Sequence, residues 1–295
     1  MSVVLPSPAQ PPVRPEFVRA PEPLPQGIEV ASRLSWHERA LQHAAVRKTL
    51  ILLVLAALWE GVARYADNDL LLPGALQTAR AFVETLASGE LGSRAALSMA
   101  VLLKGYVAGI LLAFVLTTLA VSTRIGRDLL STLTAMLNPL PAIALLPLAM
   151  LWFGLGQGSL VFVLMHSVLW ALAVNMYTGF LGVSETLRMA GRNYGLTGLR
   201  YVLAILVPAA LPAILSGLRI AWAFAWRTLI AAELVFGASS GQGGLGWFIF
   251  QNRNELYTDR VFAGLAAVVI IGLLVENLVF DQLERHTVRK WGMQR

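Results

Sequence analysis

The chain has 295 residues, of which 57% are apolar and only 14% charged, with a mean hydropathy of +0.66 and a net charge of +6. A soluble domain carries about 25% charged residues to coat its surface, so this composition argues against a soluble enzyme and excludes a disordered or fibrous chain. Cysteine is absent, which removes any disulfide, thiolate nucleophile or Cys-zinc site, and the four histidines (His37, His43, His166, His286) lack metal-site spacing.

Residues 1–34 are expected to form a flexible, cytoplasmic tail. Eight of the fourteen prolines fall there, from Pro6 to Pro25, and the tail has no apolar core of a secretory signal. Ser35 and Glu38 fit a capping box, and Trp36, Ala40, Leu41 and Ala44 form one apolar stripe. Residues 35–48 are therefore expected as a helix lying on the membrane surface, with a solvated linker as the alternative.

A bilayer span needs about 20 mostly apolar residues. Six spans are predicted: Thr49–Ala63, Ala95–Ser122, Leu129–Phe153, Ser159–Phe180, Ala213–Phe236 and Val261–Phe280. Ala75–Leu86 is predicted as a short helix outside the hydrocarbon. Tyr201–Leu218 is uncharged, yet Pro208 and Pro212 remove backbone donors that lipid cannot replace. It is predicted as the end of a loop helix, a break, and the start of the fifth span. The transmembrane body is expected over 49–285, with a short cytoplasmic tail over 286–295. With the N-terminus inside, the inner segments hold fifteen Lys and Arg and the outer segments five. The positive-inside rule then favours both termini in the cytoplasm.

The inner loop 182–212 reads GVSETLRMAGRNYGLTGLRYVLAILVPAALP. A helix over Ser184–Asn193 is expected to end at Gly195, where positive φ costs little. A second helix over Leu199–Leu206 is expected to end before Pro208. The spacing of Ala190, Gly195, Ile205 and Pro208 resembles the coupling loop of bacterial ABC importer permeases. Met189, Gly191 and Val207 depart from that family's Glu, second Ala and Leu. The fifth span and the loop after it read GLRIAWAFAWRTLIAAELVFGASSGQGGLGWFI. This is similar to the nitrate, sulfonate and taurine branch, through Gly217, Leu218, Arg219, Ala225, Trp226, Ala232, Glu233, Gly237, Ala238, Ser239 and Ser240. Gly244, Leu245 and Gly246 resemble the loop end, with extra residues around Gln242 and Gly243. Pro139, Pro141, Pro147, Phe153, Gly154 and Gly156 are similar to that branch's proline-broken third span.

The resemblance implies an all-α, polytopic protein of type I ABC importer permease fold, with six transmembrane helices and a cytoplasmic coupling-helix loop, in a bacterial inner membrane. It implies ATPase-coupling residues Glu185, Met189, Ala190, Gly191, Gly195, Ile205 and Pro208. Small residues at Ala190 and Gly191 would let another subunit approach closely. It implies a second permease copy, two ATPase subunits that bind ATP and Mg, and a periplasmic solute-binding protein, besides membrane lipid. Nucleic acid is not an expected partner. The expected cargo is nitrate, an aliphatic sulfonate or taurine, with bicarbonate, a carboxylate or a vitamin precursor as the alternative.

Charge inside a span is costly and therefore informative. Arg219, Trp226 and Glu233 are seven apart and share one helix face, drifting about 20° per heptad. That face is expected against a partner subunit or the translocation path. Glu233 has Arg227 or Lys104 as its expected partner, and Lys104 has either that role or attraction of an anionic substrate. Asn138, His166 and Asn175 are polar path candidates, and Pro139, Pro141 and Pro147 are expected to bend span three around a cavity. No Gly-Lys dipeptide occurs, so the chain has no P-loop and needs a separate ATPase. No catalytic set, metal site or cofactor site is expected. A six-span channel and a membrane enzyme are the rivals from other classes.

Overall fold

The computed structural model describes residues 42–236 and 243–290. The proline-rich tail, the Ser35–Glu38 capping box, the Gly237–Gln242 part of the loop after span five and the last five residues lie outside them. Contacts divide the chain into two units, Met1–Val54 and Leu55–Arg295. The described part of the first unit holds the start of α1, Ala44–Ala66. Its Leu50, Ile51, Leu52, Leu53 and Val54 are all exposed, as a lipid-facing helix requires. No helix boundary falls at residue 48, where the surface helix was expected to end.

Every described secondary-structure element of the second unit is a helix. After α1 come α2 (Ala75–Ala87) and α3 (Glu90–Ser122). Then follow α4 (Arg124–Leu137), a 3-10 turn (Ala142–Leu145), α5 (Leu146–Phe153) and α6 (Gln157–Leu181). The loop helices are α7 (Glu185–Asn193) and α8 (Gly198–Ala209). Last come α9 (Leu211–Phe236), α10 (Leu245–Asn254) and α11 (Thr258–Val288). Among the described residues, five helices are long and apolar enough to cross a membrane, and the number is six if one bent pair counts as a single span.

That pair is α4 with the segment Ala142–Phe153, bent by 89°. Pro139 and Pro141 cause it: neither has an N–H to continue a ladder, and both restrict the residue before them. Pro147 sits instead in the first turn of α5, where a missing N–H costs nothing. The residues expected as span three are therefore two helices meeting at a break and not one helix. Pro208 behaves differently from expectation, because α8 runs through it to Ala209. A π-helical stretch, Val202–Leu206, widens the turn before the proline. The last span likewise continues past residue 285 to Val288.

The core is a three-helix sandwich of α3, α6 and α9. Close approach is set by small residues, as in membrane bundles generally. At Gly109 a Cβ would lie 2.6 Å from Val168 Cβ and 3.0 Å from the Met165 carbonyl. Leu102, Leu164, Val168, Leu172 and Leu229 fill the space between these helices.

Candidate functional site: a proline-broken cavity and two anchors

A cavity of about 580 Å³ opens where the span-three break meets α6 and α9. The break contributes Asn138, Pro139 and Pro141; α6 contributes His166, Ser167 and Asn175; α9 contributes Phe224, Arg227 and Thr228. On α6 these positions follow one face at helical spacing. On α9 the face is Ile220, Phe224, Arg227 and Ala231.

Ser167 Oγ and Thr228 Oγ1 bridge the two helices at 3.3 Å. Asn175 donates to the Ala171 carbonyl at 2.8 Å, which leaves its side-chain oxygen free to accept. Arg227 donates through Nε to the Ala223 carbonyl at 3.0 Å, and its guanidinium sits 4.9 Å from the centre of the Phe224 ring. Beside the cavity, His166 and Trp170 are buried, and their ring nitrogens have no hydrogen-bond partner among the described residues. No Asp or Glu lines this cavity.

Asn138, Pro141, His166 and Asn175, expected on the path, are thus brought together. Lys104, Arg219, Trp226 and Glu233 are not. Lys104 is exposed and donates to Gln157 Oε1 at 2.9 Å. Trp226 is buried, donating to the Val268 carbonyl of α11 at 3.3 Å. Arg219 pairs with Glu276 and Asp281 at 3.0 Å and Glu284 at 3.4 Å, all on α11. The heptad face of α9 therefore packs within the subunit and not on the cavity. The cavity face lies one residue further round, and its signal in the sequence is the apolar and polar spacing of Ile220, Phe224, Arg227 and Ala231.

Glu233 also finds partners other than Arg227 or Lys104. Its carboxylate accepts from Ser98 Oγ, 2.9 Å from both oxygens, and from the Gly246 N–H at 2.8 Å. Ser98 Oγ in turn accepts from the Leu245 N–H at 2.9 Å. Glu233 is 4% exposed and Ser98 fully buried, and among the described residues no ion pair reaches the carboxylate. A buried carboxylate is tolerable only where donors replace its water. Here the donors are the Ser98 hydroxyl of α3 and the Gly246 N–H in the first turn of α10, so Glu233 fastens the Gly-Leu-Gly segment to α3 and α9. No room exists for larger residues there: a Cβ on Gly246 would stand 2.7 Å from the Ile230 carbonyl. Arg94 adds a bond to the Gly243 carbonyl at 2.9 Å. No local sequence signal marks Ser98 as the partner of Glu233, because the two are 135 residues apart.

The second anchor holds the loop helices. Arg188 on α7 donates to the Val183 carbonyl at 3.0 Å and to the Phe180 carbonyl at 2.5 Å. Phe180 lies in the last turn of α6 and Val183 just beyond it, so the guanidinium sits at the negative end of the helix dipole. Gly195 takes φ +71° and closes α7 with hydrogen bonds to the Arg192 carbonyl and, through Leu196, the Gly191 carbonyl. Gly191 is buried against Tyr201 and Ile205 of α8, so it seats the hairpin internally and does not face a partner. Glu185, Met189 and Pro208 are exposed, and Ala190 and Ile205 are half-buried. Leu187, Met189, Tyr194, Leu199 and Leu203 leave a large apolar area uncovered on this hairpin. Among the described residues no group of His, Asp and Glu fits a metal ion.

The sequence is similar to several named permeases. The chain is 32% identical to a protein of Escherichia coli named for aliphatic sulfonates transport, the permease SsuC, over 75% of this chain and 82% of the relative. It is 33% identical to the taurine transport system permease protein TauC of Escherichia coli, over 51% and 53%. It is 29% identical to the nitrate import permease protein NrtB of Synechocystis, over 59% and 62%. Residues 105–292, which include the cavity, the hairpin and the Glu233 anchor on α9, match one family throughout. The chain belongs to the family of binding-protein-dependent transport system inner membrane components, the multi-pass permease subunits of ABC importers.

Proposed function

We propose that this chain is the membrane-spanning subunit of an ATP-driven importer that moves a small anion, namely nitrate, an aliphatic sulfonate or taurine, into the cytoplasm. The observation that carries this is the cavity at the proline break, which has a guanidinium in its wall and no carboxylate. Two copies of the chain stand side by side, each with an ATPase subunit on the hairpin of α7 and α8. The ATPases bind ATP and Mg, and a periplasmic solute-binding protein delivers the anion. Both termini lie in the cytoplasm, which agrees with fifteen inner against five outer Lys and Arg.

Coupling follows from the anchors. Closure of the ATPase pair moves α7. Arg188 ties α7 to the carbonyl end of α6, and α6 lines the cavity. A displacement at the hairpin is thereby delivered to the cavity wall through one rigid helix. The exposed apolar side chains of the hairpin supply the docking surface.

The test is reconstitution. Proteoliposomes carrying this chain with its ATPase and binding protein are expected to accumulate labelled ethanesulfonate, taurine or nitrate only when ATP is supplied. ATP-independent flux, or uptake of none of the three, refutes the assignment.

A further inference from the structure

We infer that Arg227, with Thr228 and Ser167, forms an oxyanion subsite within the permease itself, and that this subsite fits an aliphatic sulfonate better than nitrate or taurine. The inference rests on the import reading above and deepens it.

An arginine inside a span is kept where it has a partner or a task. Glu233, two helical turns along α9, is already held by Ser98 and the Gly246 N–H, so it is not the partner of Arg227. Only Nε of Arg227 is bonded, to Ala223, and the guanidinium is steadied over Phe224. Among the described residues its terminal nitrogens have no partner. A guanidinium so held presents a planar fork of donors, the geometry that matches two oxygens of one oxyanion. The adjacent residue, Thr228, meets Ser167 at 3.3 Å, a long contact in which either hydroxyl can turn to an anion. The unpaired ring nitrogens of His166 and Trp170 stand beside the same wall.

The rest of the wall decides the class. Leu140, Ile143, Val174, Ile220 and Phe224 are apolar and line the same space. A short alkyl chain gains by leaving water against them. Nitrate has no chain to bury. Taurine ends in an ammonium, and no carboxylate in the cavity wall meets it. A sulfonate with an alkyl tail satisfies both halves of the cavity.

The experiment uses the purified permease–ATPase complex without binding protein, at constant ionic strength in chloride. Thermal unfolding is followed while butanesulfonate, taurine, nitrate and butylammonium are titrated. Butanesulfonate is expected to raise the midpoint most, and butylammonium not at all. Arg227→Gln is expected to weaken butanesulfonate binding about ten- to a hundredfold, while Arg227→Lys keeps part of it. If Arg227→Gln fails to assemble, Thr228→Val with Ser167→Ala is expected to weaken binding too. Equal binding by these variants, or nitrate or taurine binding as tightly as butanesulfonate, overturns the inference. So does a wild-type complex that butanesulfonate does not stabilise. The full transporter in proteoliposomes separates the two claims. Wild-type uptake driven by ATP and unchanged in Arg227→Gln sinks the subsite and leaves the importer standing. No ATP-driven anion uptake by the wild type sinks the importer.

Discussion

Ser98→Ala is the sharpest probe of the Glu233 anchor. The hydroxyl donates to the carboxylate and accepts from the Leu245 N–H, each at 2.9 Å. Its loss removes one charge-assisted bond, worth about 1.5–3 kcal/mol, and strands a buried N–H, at about 1–3 kcal/mol. The two effects share one site and do not add fully. An interhelical hydrogen bond in a membrane bundle averages only about 0.6 kcal/mol. A fastening role for this triad therefore predicts about 3 kcal/mol, roughly a hundredfold more frequent opening of the start of α10. Hydrogen exchange over residues 243–254, in lipid nanodiscs, reads this directly. Protection of the Leu245 and Gly246 amides is expected to fall about a hundredfold, while the α6 core is unchanged. Ser93→Ala, which loses only an exposed local bond to the Glu90 carbonyl, serves as the control. A change of under about threefold at those amides, the size of an average membrane hydrogen bond, would refute the claim that Glu233 and Ser98 fasten the loop.

Three further predictions concern the hairpin of α7 and α8 and the contact of α9 with α11. Arg188→Ala removes the charge-assisted bonds to the Phe180 and Val183 carbonyls and is expected to destabilise the α6–α7 junction by about 1–2 kcal/mol; ATPase activity measured with and without loaded binding protein should lose its stimulation, and full stimulation would contradict the relay. Gly195→Val meets no steric obstacle but forces a β-branched residue to φ +71°, at about 1–2 kcal/mol. The permease should still insert, yet copurify with less ATPase, and normal copurification would count against the docking role of the hairpin. Arg219→Ala removes three ion pairs whose side chains are a fifth to two fifths exposed. Screening limits the loss to about 1 kcal/mol in the unfolding midpoint, shrinking in high salt; a loss that salt does not change would point to packing against Phe280 instead.

Much of the plan was legible because its signals are local. Hydrocarbon thickness sets span length, so apolar runs locate each span, although the last continues past Phe280 to Val288. Prolines at 139 and 141 foretold the break, and the positive φ of Gly195 fits its place in the loop spacing. Errors arose where the outcome depended on a distant neighbour. Arg219, Trp226 and Glu233 were grouped by a heptad that is real, but periodicity says only that residues share a face. It cannot say what that face meets. Small residues at 190 and 191 suggested an open surface, whereas Tyr201 and Ile205 cover Gly191.

The charge scarcity, the span count and the missing P-loop needed no coordinates, because solvation and backbone hydrogen bonding act on each segment alone. The membrane class, the family and the need for a separate ATPase came from the sequence by itself. Only the tertiary structure decided which polar groups in the spans are fastenings and which are unpartnered. A charge within a span is judged by its neighbours, and in this chain those come from other helices: Ser98 and Gly246 for the buried Glu233, α11 for the half-buried Arg219, and an open cavity for the exposed Arg227.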